Sequence, residues 1–318
     1  MAGTAPWAVV FGGPSPEHEI SILTGLQAER VLTAAGHDVV PIYWSPTGDW
    51  FRVPAGTEAK DYLEGAPRES TPLEARVSGD PGLYRRKTFG AERLDLEAAL
   101  LCLHGGVGEG GGAAAVFSLL GIPATGSTLF AGAVGMDKLT GAVVEPYRPE
   151  LVDLNIAFRT FPSLEITQLE KPLRGPAGSA LYSYAEKYLA GGAGADAGLT
   201  SAPREFPAEV PEAVHTRARE LAERVADVTR LTGIVRVDLL LDEASSELYV
   251  NEVNTIPGAL SLYLWAPQQP AATVLVDALT EARDRRVVFP QAGFGGGAAL
   301  RAAGGIAGKL VGLDGPRA

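Results

Sequence analysis

Cysteine is almost absent from this chain: Cys102 is the one cysteine in 318 residues. A single thiol excludes an intramolecular disulfide and any cysteine-rich zinc site. Its setting, Ala98-Ala-Leu-Leu-Cys-Leu103, is that of a buried strand residue rather than a nucleophile. Histidine is nearly as scarce, and His18, His37, His104 and His215 have no metal-binding spacing. No apolar run approaches the roughly 18 residues of a membrane span. The N-terminus lacks the basic region and long apolar core of a signal peptide. Positive charge is in deficit as well: 27 Lys and Arg against 38 Asp and Glu give a net charge of −11. That balance argues against a nucleic-acid or anionic-membrane partner, and an anionic substrate would need a local basic site. A soluble, cytoplasmic protein is expected.

Apolar residues are plentiful, at 46% of the chain, and the length allows two or three domains. Ala8–Phe11 reads as a short buried strand, followed by a Gly12-Gly13 turn. Ser15 is a plausible N-cap for a helix whose Ile20, Leu23, Thr24, Ala28 and Val31 fall on one face. Gly36 ends that helix and Val39–Trp44 is the next strand, so the chain opens with a βαβ unit. An α/β domain with a largely parallel sheet follows from it. Residues 46–93, rich in Pro, Gly and charge, carry no clear pattern. Leu96–Leu103 is a further buried strand, leading into His104-Gly-Gly-Val-Gly-Glu-Gly-Gly-Gly112 and a helix over 113–120. A short helix is expected over 128–143, one over 212–232 between Pro211 and Gly233, and another near 270–285. The Gly/Ala-rich tail 292–318 has few anchors.

The most informative segment is Arg236 to Gly258. Residues 234–242 and 248–254 read as two strands joined by a polar turn. Side chains alternate along a strand, so Arg236 and Asp238 share one face, opposite Val235, Val237 and Leu239. Glu252 and Asn254 share a face on the returning strand. A hairpin can bring Asp238, Glu252 and Asn254 together beside Arg236. Two carboxylates and an amide oxygen form a hard-oxygen site suited to magnesium, and a neighbouring cation suits a phosphate or developing oxyanion. A polar hairpin face in water is the plainer alternative; the apolar flanks favour the metal.

Other elements are weaker alone. The loop 104–112, six glycines in nine residues, precedes a helix and could offer N–H groups to an anion, or be a tight turn. It lacks the spacing of a P-loop or dinucleotide fingerprint. Glu17, in Pro14-Ser-Pro-Glu-His-Glu19, lies where ligands bind in open α/β sheets, and could hold an ammonium or simply favour a helix start. Lys187 stands among aromatics in Tyr182-Ser-Tyr-Ala-Glu-Lys-Tyr188, as a phosphate contact or a surface lysine, and Lys138 alone reads as solvated.

Taken in order, these elements resemble the D-alanine–D-alanine ligase family of the ATP-grasp superfamily. The resemblance rests on Val9–Ser21, His104-Gly-Gly-Val-Gly-Glu109, Gly121–Ser127, Met136-Asp-Lys138, Tyr184-Ala-Glu-Lys-Tyr188 and Asn251-Glu-Val-Asn-Thr-Ile-Pro-Gly258. It implies an N-terminal α/β (pre-ATP-grasp) domain over 1–127, a connecting helix over 128–144 and an abbreviated ATP-grasp domain over 145–318. It also implies ATP and two magnesium ions as cofactors, amino acids as substrates, and leaves a homodimer open. Glu17 would hold the first D-alanine's ammonium, with Tyr188 and His104 near that substrate. Lys138 and Lys187 would contact ATP phosphates, Glu145 would begin the adenine-side strand and Asp153 would face the ribose. Asp238, Glu252 and Asn254 would hold the magnesium ions. Arg236 and the N–H of Gly258 would stabilise the oxyanion, and Ser261 and Tyr263 would lie at the second substrate.

Two departures stand out. In the family, several dozen residues separate the Met-Asp-Lys helix from the adenine-side strand, and they carry a second ATP lysine and a Ser-Ser-x-Gly loop. Here Val144 runs directly into Glu145-Pro-Tyr-Arg148. Gly258-Ala-Leu-Ser-Leu-Tyr-Leu-Trp265 also replaces a Thr-Ser-x-Ser-like run.

Overall fold

Strand β1 (Trp7–Gly12) is the centre of the first sheet. Its residues Ala8 to Phe11 have no exposed surface. It pairs in parallel with β2 (Val39–Trp44) on one side and β7 (Ala99–Leu101) on the other. Helix α1 (His18–Ala34) makes the crossover from β1 to β2, as the opening pattern requires. Gly25 lets it lie flat on the sheet: a Cβ there would stand 2.4 Å from the Phe11 side chain. The computed structural model describes residues 5–136, 148–173, 203–285 and 298–303. Met1–Arg286 is one compact unit, and Val287–Ala318 is a second, of which the helix Ala298–Ala303 is described.

The parallel ladder is shorter than expected. Beyond β2 the seven-stranded sheet continues as an antiparallel meander: β3 (Trp50–Arg52), β4 (Thr71–Arg76), β5 (Gly82–Arg86) and β6 (Ala91–Arg93). The links 45–49, 77–81 and 87–90 are too short for a crossover helix, so the strands they join can only reverse. Their pairing lies in the stretch 46–93, where the sequence shows no periodicity. Helices α2 (Ala113–Leu119) and α3 (Leu129–Met136) follow β7.

The second sheet is antiparallel, in the order β13-β12-β8-β9. Its strands are β8 (Val152–Arg159), β9 (Glu165–Ile166), β12 (Ile234–Asp242) and β13 (Glu247–Asn254). A two-stranded ladder of β10 (Lys171–Pro172) and β11 (Arg204–Glu205) stands beside it in sequence. Helix α4 (Glu212–Thr229) covers one face, packing Val214, Ala218 and Ala222 on Val235, Val237, Leu239 and Leu241. It stops before Gly233 because Arg230 already takes a left-handed φ of 54°. After β13 come α5 (Leu262–Trp265) and α6 (Ala271–Asp284). Helix α6 returns to the first sheet, where Val274, Leu275, Ala278 and Leu279 join the core around Leu100, Leu264 and Trp265. Among the described residues no helix is long and apolar enough to cross a membrane.

Candidate active site

The hairpin register places four polar side chains together. Arg236 pairs with Asn254, and Asp238 with Glu252. On the other side of β12, Asp238 pairs with Asn155 and Leu240 with Asp153. Directly paired residues project on the same face. One face of β12 therefore carries Arg236 and Asp238 half-buried, while Val235, Val237 and Leu239 are buried on the other. A register break after Asp238 pairs Leu239 with Val250 and leaves Asn251 as an extra, bulged residue.

The hydrogen bonds tie the cluster into one unit. Arg236 donates from Nε to Asp238 Oδ1 at 2.5 Å and from Nη2 to Oδ2 at 2.8 Å. Asn254 Nδ2 donates to Asp238 Oδ2 at 3.0 Å and to Glu252 Oε1 at 3.4 Å. Burial works against the Arg236 charge, but the adjoining Asp238 carboxylate outweighs it and holds the guanidinium protonated. Asp238, Glu252 and Asn254 thus converge beside Arg236. Among the described residues, no three or more His, Cys, Asp or Glu side chains gather closely enough to hold a metal ion. The donor set here is two carboxylates and an amide. The carboxylate oxygens are of the hard type that magnesium takes, and the Asn254 amide turns its nitrogen toward them, marking a position that favours positive charge.

The second wall comes from the ends of β1 and β7. Glu17 caps the start of α1, and its N–H donates to Ser15 Oγ at 3.1 Å. The Gly105 backbone, at a left-handed φ of 64°, lies against it: a Cβ there would come within 2.7 Å of Ser15 Oγ and 3.5 Å of Glu17 Cδ. Within the loop 104–112, one backbone N–H meets a carboxylate, that of the loop's own Glu109. Gly105 N–H donates to Glu109 Oε2 at 2.9 Å, and Ile256 N–H donates to Oε1 at 3.3 Å. Burial raises the Glu109 pKa.

His104 meets the same turn. Its Nδ1 donates to the Ile256 carbonyl at 2.8 Å, and Nε2 lies 2.8 Å from Thr24 Oγ1. Burial pushes its pKa down to about 4, so the ring is neutral near pH 7. Since a carbonyl only accepts, Nδ1 carries the hydrogen and Nε2 accepts from the Thr24 hydroxyl. Thr24 Oγ1 in turn accepts the Ala259 N–H at 3.3 Å. With 2% exposure and both ring nitrogens committed, His104 supports the turn 256–259 from beneath. Gly258 is half-buried and its α-carbon faces open space. After it, Ala259, Leu260 and Ser261 all take left-handed φ values, 50°, 49° and 48°. Ser261 has no exposed surface, and its hydroxyl has no hydrogen-bond partner.

Tyr263 lies beside the polar face. Its hydroxyl donates to Glu170 Oε2 at 3.2 Å, and Asn155 Nδ2 donates to the same oxygen at 3.0 Å. The Arg204 guanidinium lies 4.4 Å from the centre of the Tyr263 ring and 3.3 Å from Glu170. Asp153 stands on the same face as Asp238, farther along β8. Lys138, Glu145, Lys187 and Tyr188 lie outside the described residues, as does most of the tail 292–318. Thr24, Asn155, Glu170 and Arg204 are additions that sequence reading did not single out. For Thr24 a signal existed: it stands two helical turns from Glu17 on the same helix. Asn155 needed the strand pairing, which no local pattern carries.

The family model described as the D-ala D-ala ligase N-terminus matches residues 7–127, and that described as the D-ala D-ala ligase C-terminus matches residues 144–279. The chain belongs to the D-alanine–D-alanine ligase family. A D-alanine–D-alanine ligase of Leptospira interrogans is 38% identical over 172 residues, which cover 51% of this chain and 43% of that protein. The D-alanine–D-alanine ligase of Thermosipho melanesiensis is 22% identical over 357 residues, covering 88% of this chain and 95% of that one. That span exceeds the 318 residues present here, so this relative carries residues that the family member described here lacks. The VanG D-Ala:D-Ser ligase from Enterococcus faecalis has the same fold, with a TM-score of 0.68 at 18% identity, covering 88% of this chain and 100% of that one.

Proposed function

We propose that this chain is an ATP-dependent ligase that joins two D-alanines for the synthesis of peptidoglycan precursors. One observation carries the reading: Arg236, Asp238, Glu252 and Asn254 stand in register on one open sheet face, in a chain that matches both halves of the family. In the reaction, a carboxylate oxygen of the first D-alanine attacks the γ-phosphorus of ATP, and ADP leaves. The amine of the second D-alanine attacks the resulting acyl phosphate, a C–N bond forms, and phosphate departs as the nitrogen loses a proton.

The residues divide this work. Glu17 holds the first ammonium, and the family resemblance assigns Tyr188 to the same substrate. Arg236 and the Gly258 N–H face the oxyanion that develops at the attacked carbonyl, where preorganised donors act most strongly. Asp238, Glu252 and Asn254 would hold two magnesium ions, which neutralise phosphate charge. By the family resemblance, Lys138 and Lys187 would serve the phosphates, Glu145 the adenine side and Asp153 the ribose. His104 acts from below the turn, and Tyr263 borders the second substrate.

The direct jump from Val144 to Glu145 leaves the nucleotide with less cover than in the longer relatives. Charge pairing weakens where water enters, and an acyl phosphate open to water hydrolyses. D-Alanine should stimulate phosphate release from ATP with dipeptide as product, at a slow rate and with weak ATP affinity. Inserting a family-like segment between Val144 and Glu145 should raise both, by about tenfold or more in ATP affinity for one or two restored charge-assisted contacts. No D-alanine-dependent phosphate release from either form, measured with mass detection of the dipeptide, refutes the ligase reading.

A further inference from the structure

The ammonium site and the oxyanion turn are tied to one helix. Glu17 begins α1, and Thr24 lies seven residues along it. Seven residues are almost two full turns, so both residues lie on one side of the helix, about 10 Å apart along its axis. Thr24 is 2% exposed, and its hydroxyl is used in both directions. It donates to His104 Nε2 at 2.8 Å and accepts the Ala259 N–H at 3.3 Å. The residue next to Gly258 is therefore hooked directly to the helix that carries Glu17. The turn needs such a hook: three successive residues with side chains hold left-handed backbone there, a conformation that persists only where surrounding contacts impose it.

We propose that Thr24 is a positioning residue for the ligase reaction: through its hydroxyl it fixes the Gly258 turn at a set separation from Glu17. This rests on the ligase reading above. Thr24 touches no reacting atom. It sets the distance between the group that holds the substrate ammonium and the N–H that meets the oxyanion. Its hydroxyl also complements the His104 tautomer that the Ile256 carbonyl fixes, donating to the unprotonated Nε2 while Nδ1–H stays on that carbonyl.

The test compares Thr24→Val, which keeps the shape and removes the hydroxyl, with Thr24→Ser, which keeps the hydroxyl. Thr24→Ala serves the same purpose if the valine variant does not fold. The hydroxyl-free variant should lose about 10- to 100-fold in kcat, the range expected when a transition-state donor is misplaced, with KM for ATP little changed. Amide hydrogen exchange at residues 258–261 should rise in that variant. Thr24→Ser should restore both. An unchanged kcat in Thr24→Val, or equal impairment of Thr24→Ser, overturns the role of Thr24 while leaving the ligase reading intact. No D-alanine-stimulated phosphate release from either the parent chain or the form with the insert overturns the ligase reading and this inference together.

Discussion

The two sheets place functional side chains in different ways. In the first, β1 is flanked in parallel on both sides and covered on both faces, and consecutive residues Ala8, Val9, Val10 and Phe11 are all buried. Such a strand has no free face for a charged group, so chemistry moves to the loops at its end. Glu17 follows β1 and His104 follows β7. The second sheet is antiparallel with one face covered by α4, and alternate residues of β12 stay open. Arg236 and Asp238 therefore stand in the middle of a strand, where pairing on both sides fixes their position. A parallel sheet offers its ends, whereas a half-covered antiparallel sheet offers a face.

A charge scan would break this comparison most sharply. Leu100→Asp and Leu101→Asp, adjacent on β7, should both abolish folding, since each buries an unpaired carboxylate at a cost of several kcal/mol or more. On β12 the outcome should alternate. Leu239→Asp should abolish folding, whereas Asp238→Asn should leave a folded protein with lost activity. Soluble yield and thermal unfolding read the difference, and a folded Leu239→Asp protein would contradict the one-sided burial of β12.

The next effect concerns the open face alone. Glu252→Gln keeps the shape and removes one charge from the hairpin cluster. Magnesium-dependent nucleotide binding should weaken, and turnover should fall by about 100-fold, the order seen when a charge-stabilising group is lost. Calorimetric titration of ATP with and without magnesium checks this. Binding that does not change would leave the cluster as a structural ion network.

Much of this contrast was legible in the sequence. β1, α1, β2 and the β12–β13 hairpin announce themselves through apolar runs and alternation, and the hairpin's four polar residues sit where alternation places them. The meander β3–β6 was not legible, because its short strands mix charge with apolar stretches too brief to show a period. The bulge at Asn251 was equally hidden, since register arises from pairing and not from the order of residues. Glu109 stood inside a recognisable motif, yet its hold on the Ile256 N–H joins residues 147 positions apart. For His104 the resemblance implies a place near substrate; what the sequence does not carry is its burial and the commitment of both ring nitrogens to Thr24 and the Ile256 carbonyl.

The smallest effect is a pH dependence located at the end of β7. His104 has a pKa of about 4 in the folded chain against an ordinary value of 6.5. The unfolded chain binds the proton first as pH falls, so stability is fully present above about 6.5 and drains away toward 4. A shift of this size corresponds to at most about 3 kcal/mol. Urea unfolding at pH 7 and pH 4.5 should show a smaller loss for His104→Gln than for the parent chain. Equal losses would assign the acid sensitivity to other groups.

The bulge on β13 has a consequence for how this protein behaves in a crowded solution. Among the described residues β13 is the outermost strand of its sheet, and its edge would offer free backbone groups to another chain. Asn251 interrupts the regular spacing of those groups halfway along, and Glu247 and Glu252 place negative charge on either side of the exposed Val250. A strand arriving from a second molecule finds a broken ladder lined with like charge, two of the devices by which edge strands resist aggregation. The irregularity beside the proposed metal site thus also discourages this edge from seeding intermolecular sheets.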